Sequence, residues 1–209
     1  MADSVKFDSE DGRAREGVLR ADGLACRRGG RMIFEHISFE LKAGQAMHVA
    51  GANGSGKSSL LRQLAGLLPL AAGTLAHALS PARHMHYLGH DDGLKAAYSV
   101  AETLAFEAAL AQCDVPTRLI ADLGLAGCDW RFVGDLSAGQ KRRLTLARLR
   151  LDPRPLWLLD EPLTALDENG RKLVEELAQA HLADGGMILA ASHEPLSFTD
   201  KVLRLEAAS

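Results

Sequence analysis

An α/β fold built around a mostly parallel sheet is what this sequence predicts, and three observations carry the prediction. Two apolar runs, LWLLD at 156–160 and MILAAS at 187–192, lack the polar alternation of a half-solvated strand, so they read as strands buried on both faces. Helical patterns alternate with these strands, an order that implies crossovers and parallel pairing. Between AMHVA and LLRQLAGLL stands a glycine turn, GANGSGKS, in the strand, loop, helix order that a phosphate site requires.

The elements follow in order. The opening MADSVKFDSEDGRAREG, residues 1–17, is polar and charged, without the apolar centre of a signal peptide, and reads as a mobile tail ahead of a domain at 18–209. VLRADGLACRR and MIFEHISFEL flank Gly29 and Gly30, and Ile37, Phe39 and Leu41 alternate with polar positions, so an antiparallel hairpin is expected. After the glycine turn comes a helix expected to carry Leu60, Leu64, Leu67 and Leu68 on one face. A helical subdomain is expected over about 98–150. There Ser99 and Glu102 form a capping box before ETLAFEAALAQ, PTRLIADLGLAG suggests a second helix, and QKRRLTLARLRL a third. The strand LWLLD, the helix ENGRKLVEELAQAHLA ended by Gly185 and Gly186, and the strand MILAAS complete the pattern.

Bulk properties narrow the function. With 209 residues, 47% hydrophobic and 24% charged, the chain can build one sizeable core in one or two domains. A net charge of -3 gives no reason to expect nucleic acid as a partner. Cys26, Cys113 and Cys128 are odd in number and widely spaced, which fits a reducing compartment, and they read as thiols packed in or near the core. The most apolar stretch, LAGLLPLAAGTLAHAL, is broken by Pro69, Gly73 and His77 and falls short of the ~20 apolar residues of a spanning helix. Any membrane crossing therefore falls to another chain.

Gly51, Ala52, Asn53, Gly54, Ser55, Gly56, Lys57 and Ser58 satisfy G-x-x-x-x-G-K-[ST], with Ser59 next in line. Glycines let successive backbone N–H groups converge on phosphate oxygens, Lys57 reaches the terminal phosphates, and the Ser58 hydroxyl can ligate magnesium. In LWLLDEP, Asp160 ends the strand where it can hold the magnesium shell, and Glu161 is placed to polarise a water attacking the terminal phosphorus. Ser192 and His193 end the next buried strand, whose tip should lie beside the glycine loop; His193 could bond the terminal phosphate or orient the water. LSAGQKRR at 136–143 opens a further helix through an S-x-x-Q capping box of Ser137 and Gln140. Its N–H groups carry the positive end of the dipole and attract phosphate. A chain whose glycine loop already cradles phosphates has no use for this second end as a monomer.

Together these motifs resemble the ATP-binding-cassette ATPases over nearly all of the chain beyond the tail. The resemblance assigns GANGSGKS to the P-loop, LSAGQ to the signature motif, LLDEP to the magnesium and catalytic strand, LTALD at 163–167 with Asp167 to the D-loop, and His193 to the switch histidine. It implies a P-loop fold with a mostly parallel core, an antiparallel β subdomain and a helical signature subdomain. It further implies ATP and Mg2+ as cofactors and a head-to-tail dimer, in which Ser137, Ala138, Gly139 and Gln140 bind ATP held by the second copy. No N-K-x-D guanine motif is present.

Finer features are similar to the haem-exporter ATP-binding subunits of bacterial cytochrome c maturation: CRRGGRMIFEHISFEL, YLGHDDGLK at 87–95, alanine within LSAGQ, and SHEPL at 192–196. That branch implies a peripheral subunit on the cytoplasmic side of the inner membrane, docked on integral membrane subunits of a haem-export complex. The alternatives are the ATPase of another exporter, for lipid or drug, and a soluble ABC protein acting on ribosomes or DNA. The second usually carries two cassettes or long coiled-coil insertions, which this sequence lacks. Arg28 stands where an aromatic usually stacks on adenine, leaving the choice of ATP over GTP open. His90 replaces the usual glutamine; Asp91 or water is favoured for any metal contact there, and His90 for coupling at most. His84 and His86, near His77, are read as one face of a partly exposed strand, and KRR at 141–143 as a solvated or interface face of its helix.

Overall fold

The computed structural model describes residues 18–76 and 81–206; the predicted tail at 1–17 and His77 lie outside them. Among the described residues, eight strands form two sheets. β1 (Val18–Arg28), β2 (Arg31–Lys42) and β4 (Ala72–Ala76) make an antiparallel sheet in the order β2-β1-β4. β3 (Ala46–Ala50), β5 (Met85–Leu88), β6 (Leu156–Asp160), β7 (Met187–Ala191) and β8 (Lys201–Arg204) make the other, in the order β5-β6-β7-β3-β8 with neighbouring strands parallel. The expected hairpin is β1 and β2, paired antiparallel from Val18↔Lys42 to Arg28↔Arg31 with register shifts between Ala21 and Arg27. β4 and β8 were not among the expected strands. Both are short, β4 mostly exposed and β8 half so, and neither leaves a strong apolar pattern.

Successive residues of β6 point to opposite faces of the parallel sheet, and both faces are buried. Leu156 and Leu158 join a core with α1 (Lys57–Leu64) and the antiparallel sheet, while Trp157 and Leu159 join a second core with the helical layer. That layer holds α3 (Val100–Ala111), α4 (Leu119–Asp122), α5 (Ala138–Thr145), α6 (Ala147–Leu151) and α7 (Glu168–Ala183). A one-turn helix, α2 (Pro81–His84), precedes β5. Full burial of each leucine contributes about 1.5–3 kcal/mol, so burial on both faces explains why β6 is apolar throughout.

Several local expectations are corrected. α1 stops at Leu64, so Leu67 and Leu68 lie beyond it, with Leu67 exposed and Leu68 half-buried against the core. The stop is a Schellman turn: Gly66 has φ +71°, its N–H bonds to Gln63 O at 3.0 Å, and the Leu67 N–H bonds to Arg62 O at 2.8 Å. The single helix expected over QKRRLTLARLRL is divided at Leu146, and the helix in PTRLIADLGLAG shrinks to the four residues of α4. Cys113 is exposed, with its thiol donating to Leu151 O at 3.4 Å, whereas Cys26 and Cys128 are buried.

Candidate nucleotide site

Strand register brings the motifs to one edge. Val49 of β3 and Asp160 of β6 both pair with Ala191 of β7, so the carboxyl ends of the three strands align. From that edge spring the glycine loop after β3, the carboxylates at the end of β6 and the Ser192–His193 pair after β7. The loop enters α1 through Gly56, with φ +100°, where a Cβ would sit 2.7 Å from the side chains of Ile33 and Phe34. Only glycine satisfies both the dihedral and that packing. No side chain caps α1, so its first N–H groups remain directed at whatever sits in the loop. Lys57 is buried and donates from Nζ to Gly51 O at 2.9 Å and Ala52 O at 3.3 Å, which bends its ammonium back across the loop. Ser55 Oγ is buried with no hydrogen-bond partner among the described residues.

Asp160 is 2% exposed, and its Oδ2 likewise has no partner among the described residues. An orphaned buried carboxylate oxygen at a strand end suits a hydrated divalent cation, because burial without a partner is costly. Glu161 follows in the left-handed region at φ +50°, its N–H bonded to Ala191 O at 2.8 Å. Its Oε2 accepts a hydrogen bond from Nδ1 of the exposed His193 at 2.9 Å. A carboxylate acceptor fixes the proton on Nδ1 and leaves Nε2 of a neutral ring with a lone pair.

LSAGQ lies at the start of α5, with Ser137 and Ala138 exposed and Gly139 and Gln140 half-buried. The capping box is closed in both directions: Gln140 N–H donates to Ser137 Oγ at 3.2 Å, and Ser137 N–H to Gln140 Oε1 at 3.0 Å. Gly139 packs so closely on the LTALD segment that a Cβ would fall 2.7 Å from Ala165 O. Arg143 forms an ion pair with Asp167, whose carboxylate also accepts from Gly170 N–H at 2.9 Å as the N-cap of α7. The Arg143 hydrogen bond first, and the Gly170 N–H second, hold the Asp167 pKa below the usual carboxylate value.

The expectation of a solvated KRR face is corrected, since Arg142 is only 5% exposed. Its Nη2 donates to Asp160 O at 2.7 Å and Glu161 O at 2.9 Å, while Nη1 donates to Gly89 O at 2.9 Å and faces Asp92 Oδ1 at 3.4 Å. Sequence reading missed this residue. The available signal was its spacing from Leu146 and Leu149, which puts it on the apolar side of the helical run. The histidine strand is corrected too. His84 ends α2, and His86 is buried on β5, donating to Asp152 O at 2.5 Å. His90 and Asp91 are exposed and line a groove of about 290 Å³ with Arg62, Tyr87 and Arg148. Arg28 sits at the exposed tip of the β1–β2 hairpin.

The family described as ABC transporter matches residues 34–164 of this sequence. The chain belongs to the ABC transporter family. As a member of that family it binds ATP and is an ATPase. Within it the chain falls among the cytochrome c biogenesis ATP-binding export proteins CcmA. It is 45% identical to that protein of Rhodopseudomonas palustris strain HaA2 over 91% of this chain and 99% of the relative. To the CcmA of Bradyrhizobium diazoefficiens it is 47% identical, covering 87% of this chain and 94% of the relative. A solved ATP-binding subunit of an ABC transporter superposes with a TM-score of 0.81 at 21% identity, over 90% of this chain and 85% of that one, and shows the shared ABC fold. Among the described residues no helix is long and apolar enough to cross a membrane.

Proposed function

We propose that this ABC ATPase hydrolyses MgATP in a dimer of two copies to drive haem handling or export for c-type cytochrome biogenesis, bound to membrane subunits at the cytoplasmic face of the inner membrane. The observation that carries the reading is the grouping of the glycine loop, the buried Asp160 and the Glu161–His193 pair at one sheet edge. The relatives' name, cytochrome c biogenesis ATP-binding export protein, supports the biological assignment. In this reading residues 18–209 form the ATPase domain and about 98–150 its helical signature subdomain.

Residues 51–59 hold the nucleotide: backbone N–H groups of the loop and of α1 meet the phosphates, and Lys57 leaves its own loop carbonyls for the β and γ phosphates. Ser58 and Asp160 would hold Mg2+, the aspartate through bound water, and Asp91 is the further oxygen donor on the adjoining loop, while His90 has a coupling role at most. Bound there, the ion would neutralise charge developing on the phosphate oxygens. Glu161 takes a proton from the attacking water, and His193, held by that carboxylate, has Nε2 free to accept a hydrogen bond from that water and orient it. Ser137, Ala138, Gly139 and Gln140 close on the ATP of the second copy, while Asp167, tied to Arg143, fixes the adjoining turn.

Deleting the gene tests the assignment. Cells without it should lose mature c-type cytochromes and keep b-type ones, and a Lys57→Ala copy should not restore the loss. Normal c-type cytochromes in the deletion strain would remove the haem role and leave the ATPase standing.

A further inference from the structure

Arg142 is the most deeply buried arginine of the α5–α6 run, and the site described above gives its guanidinium no contact with nucleotide. Both terminal nitrogens are committed. Nη2 is shared by the Asp160 and Glu161 carbonyls, which flank the Glu161 Cα, at 2.7 and 2.9 Å, and Nη1 reaches Gly89 O at 2.9 Å and Asp92 Oδ1 at 3.4 Å. One rigid planar fork thus joins three segments: the first turns of α5, the end of β6, and the loop 89–92 that borders the surface groove. The join falls where the backbone is least free to hold itself. Glu161 adopts φ +50°, a region that non-glycine residues occupy only when their surroundings impose it. Two charge-assisted bonds from Arg142 hold the carbonyls around that residue, beside the bonds from Glu161 N–H to Ala191 O and from Thr164 N–H to Glu161 O.

We propose that Arg142 is a positioning residue for hydrolysis: its guanidinium sets the backbone at Glu161, and with it the carboxylate's direction, according to where loop 89–92 lies. The proposal rests on Glu161 being the group that takes the proton from water. Lysine retains the charge but is a single-point donor that cannot span carbonyls on both the β6 end and the Gly89 loop. Nucleotide binding by the glycine loop uses none of these contacts.

The experiment measures kcat per nucleotide-binding site, KM for ATP and ATP affinity on the purified full-length chain and its variants. Arg142→Lys should lose on the order of 10²-fold in kcat, as for a displaced reacting group, with KM and affinity unchanged. A purely structural arginine would lower the folded fraction and leave kcat per binding site at the parent value, and that result overturns the proposal. If Arg142→Lys does not fold, Asp92→Asn decides, because Asp92 lies in a partly exposed loop and pairs with the same guanidinium. A reduced kcat at constant KM supports the link, and a parental kcat overturns it. Glu161→Gln runs alongside. Parental activity in that variant would show that the underlying assignment of Glu161 has failed, whereas an inactive Glu161→Gln with a fully active Arg142→Lys would sink the Arg142 proposal alone.

Discussion

Lys57 and Glu161 are placed to do different work, and substitution should separate them. Lys57→Ala removes the ammonium proposed to reach the phosphates and should weaken ATP binding in an equilibrium titration. Glu161→Gln should bind MgATP as the parent does and lose about 10²–10⁴-fold in hydrolysis, the usual contribution of a general base. Equal phosphate release by Glu161→Gln and the parent would take Glu161 out of that role. Gly56 supplies a stability test at the same loop. Gly56→Ala combines a left-handed φ of +100° with a Cβ 2.7 Å from Ile33 and Phe34. It should cost at least about 1–2 kcal/mol in chemical denaturation.

Among the elements, β5, β6 and α7 share two histidines, His86 buried and His181 half-buried, that should make the fold acid-sensitive. His181 of α7 stacks on Trp157 of β6, with ring centroids 3.8 Å apart and planes 7° from parallel, and His86 of β5 lies in register beside Trp157. Burial is the first cause that pushes His181 down from 6.5 to about 4, and it lowers His86 as well. Both are therefore neutral when folded, while the unfolded chain takes up their protons near pH 6.5. The stabilisation is complete above about pH 6.5 and is lost as pH falls towards 4. Urea midpoints should fall steadily from pH 7 to pH 5, and His181→Phe, which keeps the stack without the titrating nitrogen, should flatten that slope. A parental slope in His181→Phe would remove His181 as its cause. These same elements show what a sequence can and cannot reveal. The glycine loop, LLDEP and both capping boxes were legible because each is a local pattern whose chemistry acts within a few residues. The burial of His86 and Arg142, the division of the α5–α6 run and the exposed strands β4 and β8 were not, because packing between distant segments decides them.

On the scale of the whole molecule, the glycine loop and LSAGQ are the two phosphate-binding features of the proposed site, and in that reading they meet across a dimer. In the proposed dimer the ends of β3, β6 and β7 would build one half of the site, and the exposed start of α5 would offer the other half to a second copy. Blocking hydrolysis should trap that pair. The most direct measurement is light scattering of Glu161→Gln with MgATP, alone and combined with Ser137→Arg, with nucleotide binding titrated on the same samples. Glu161→Gln should form an ATP-dependent dimer, and adding Ser137→Arg should leave a monomer that still binds ATP. An unchanged dimer in the double variant would contradict that reading and reduce LSAGQ to a helix cap; loss of ATP binding by the folded monomer would contradict it too, placing the motif's action within its own chain.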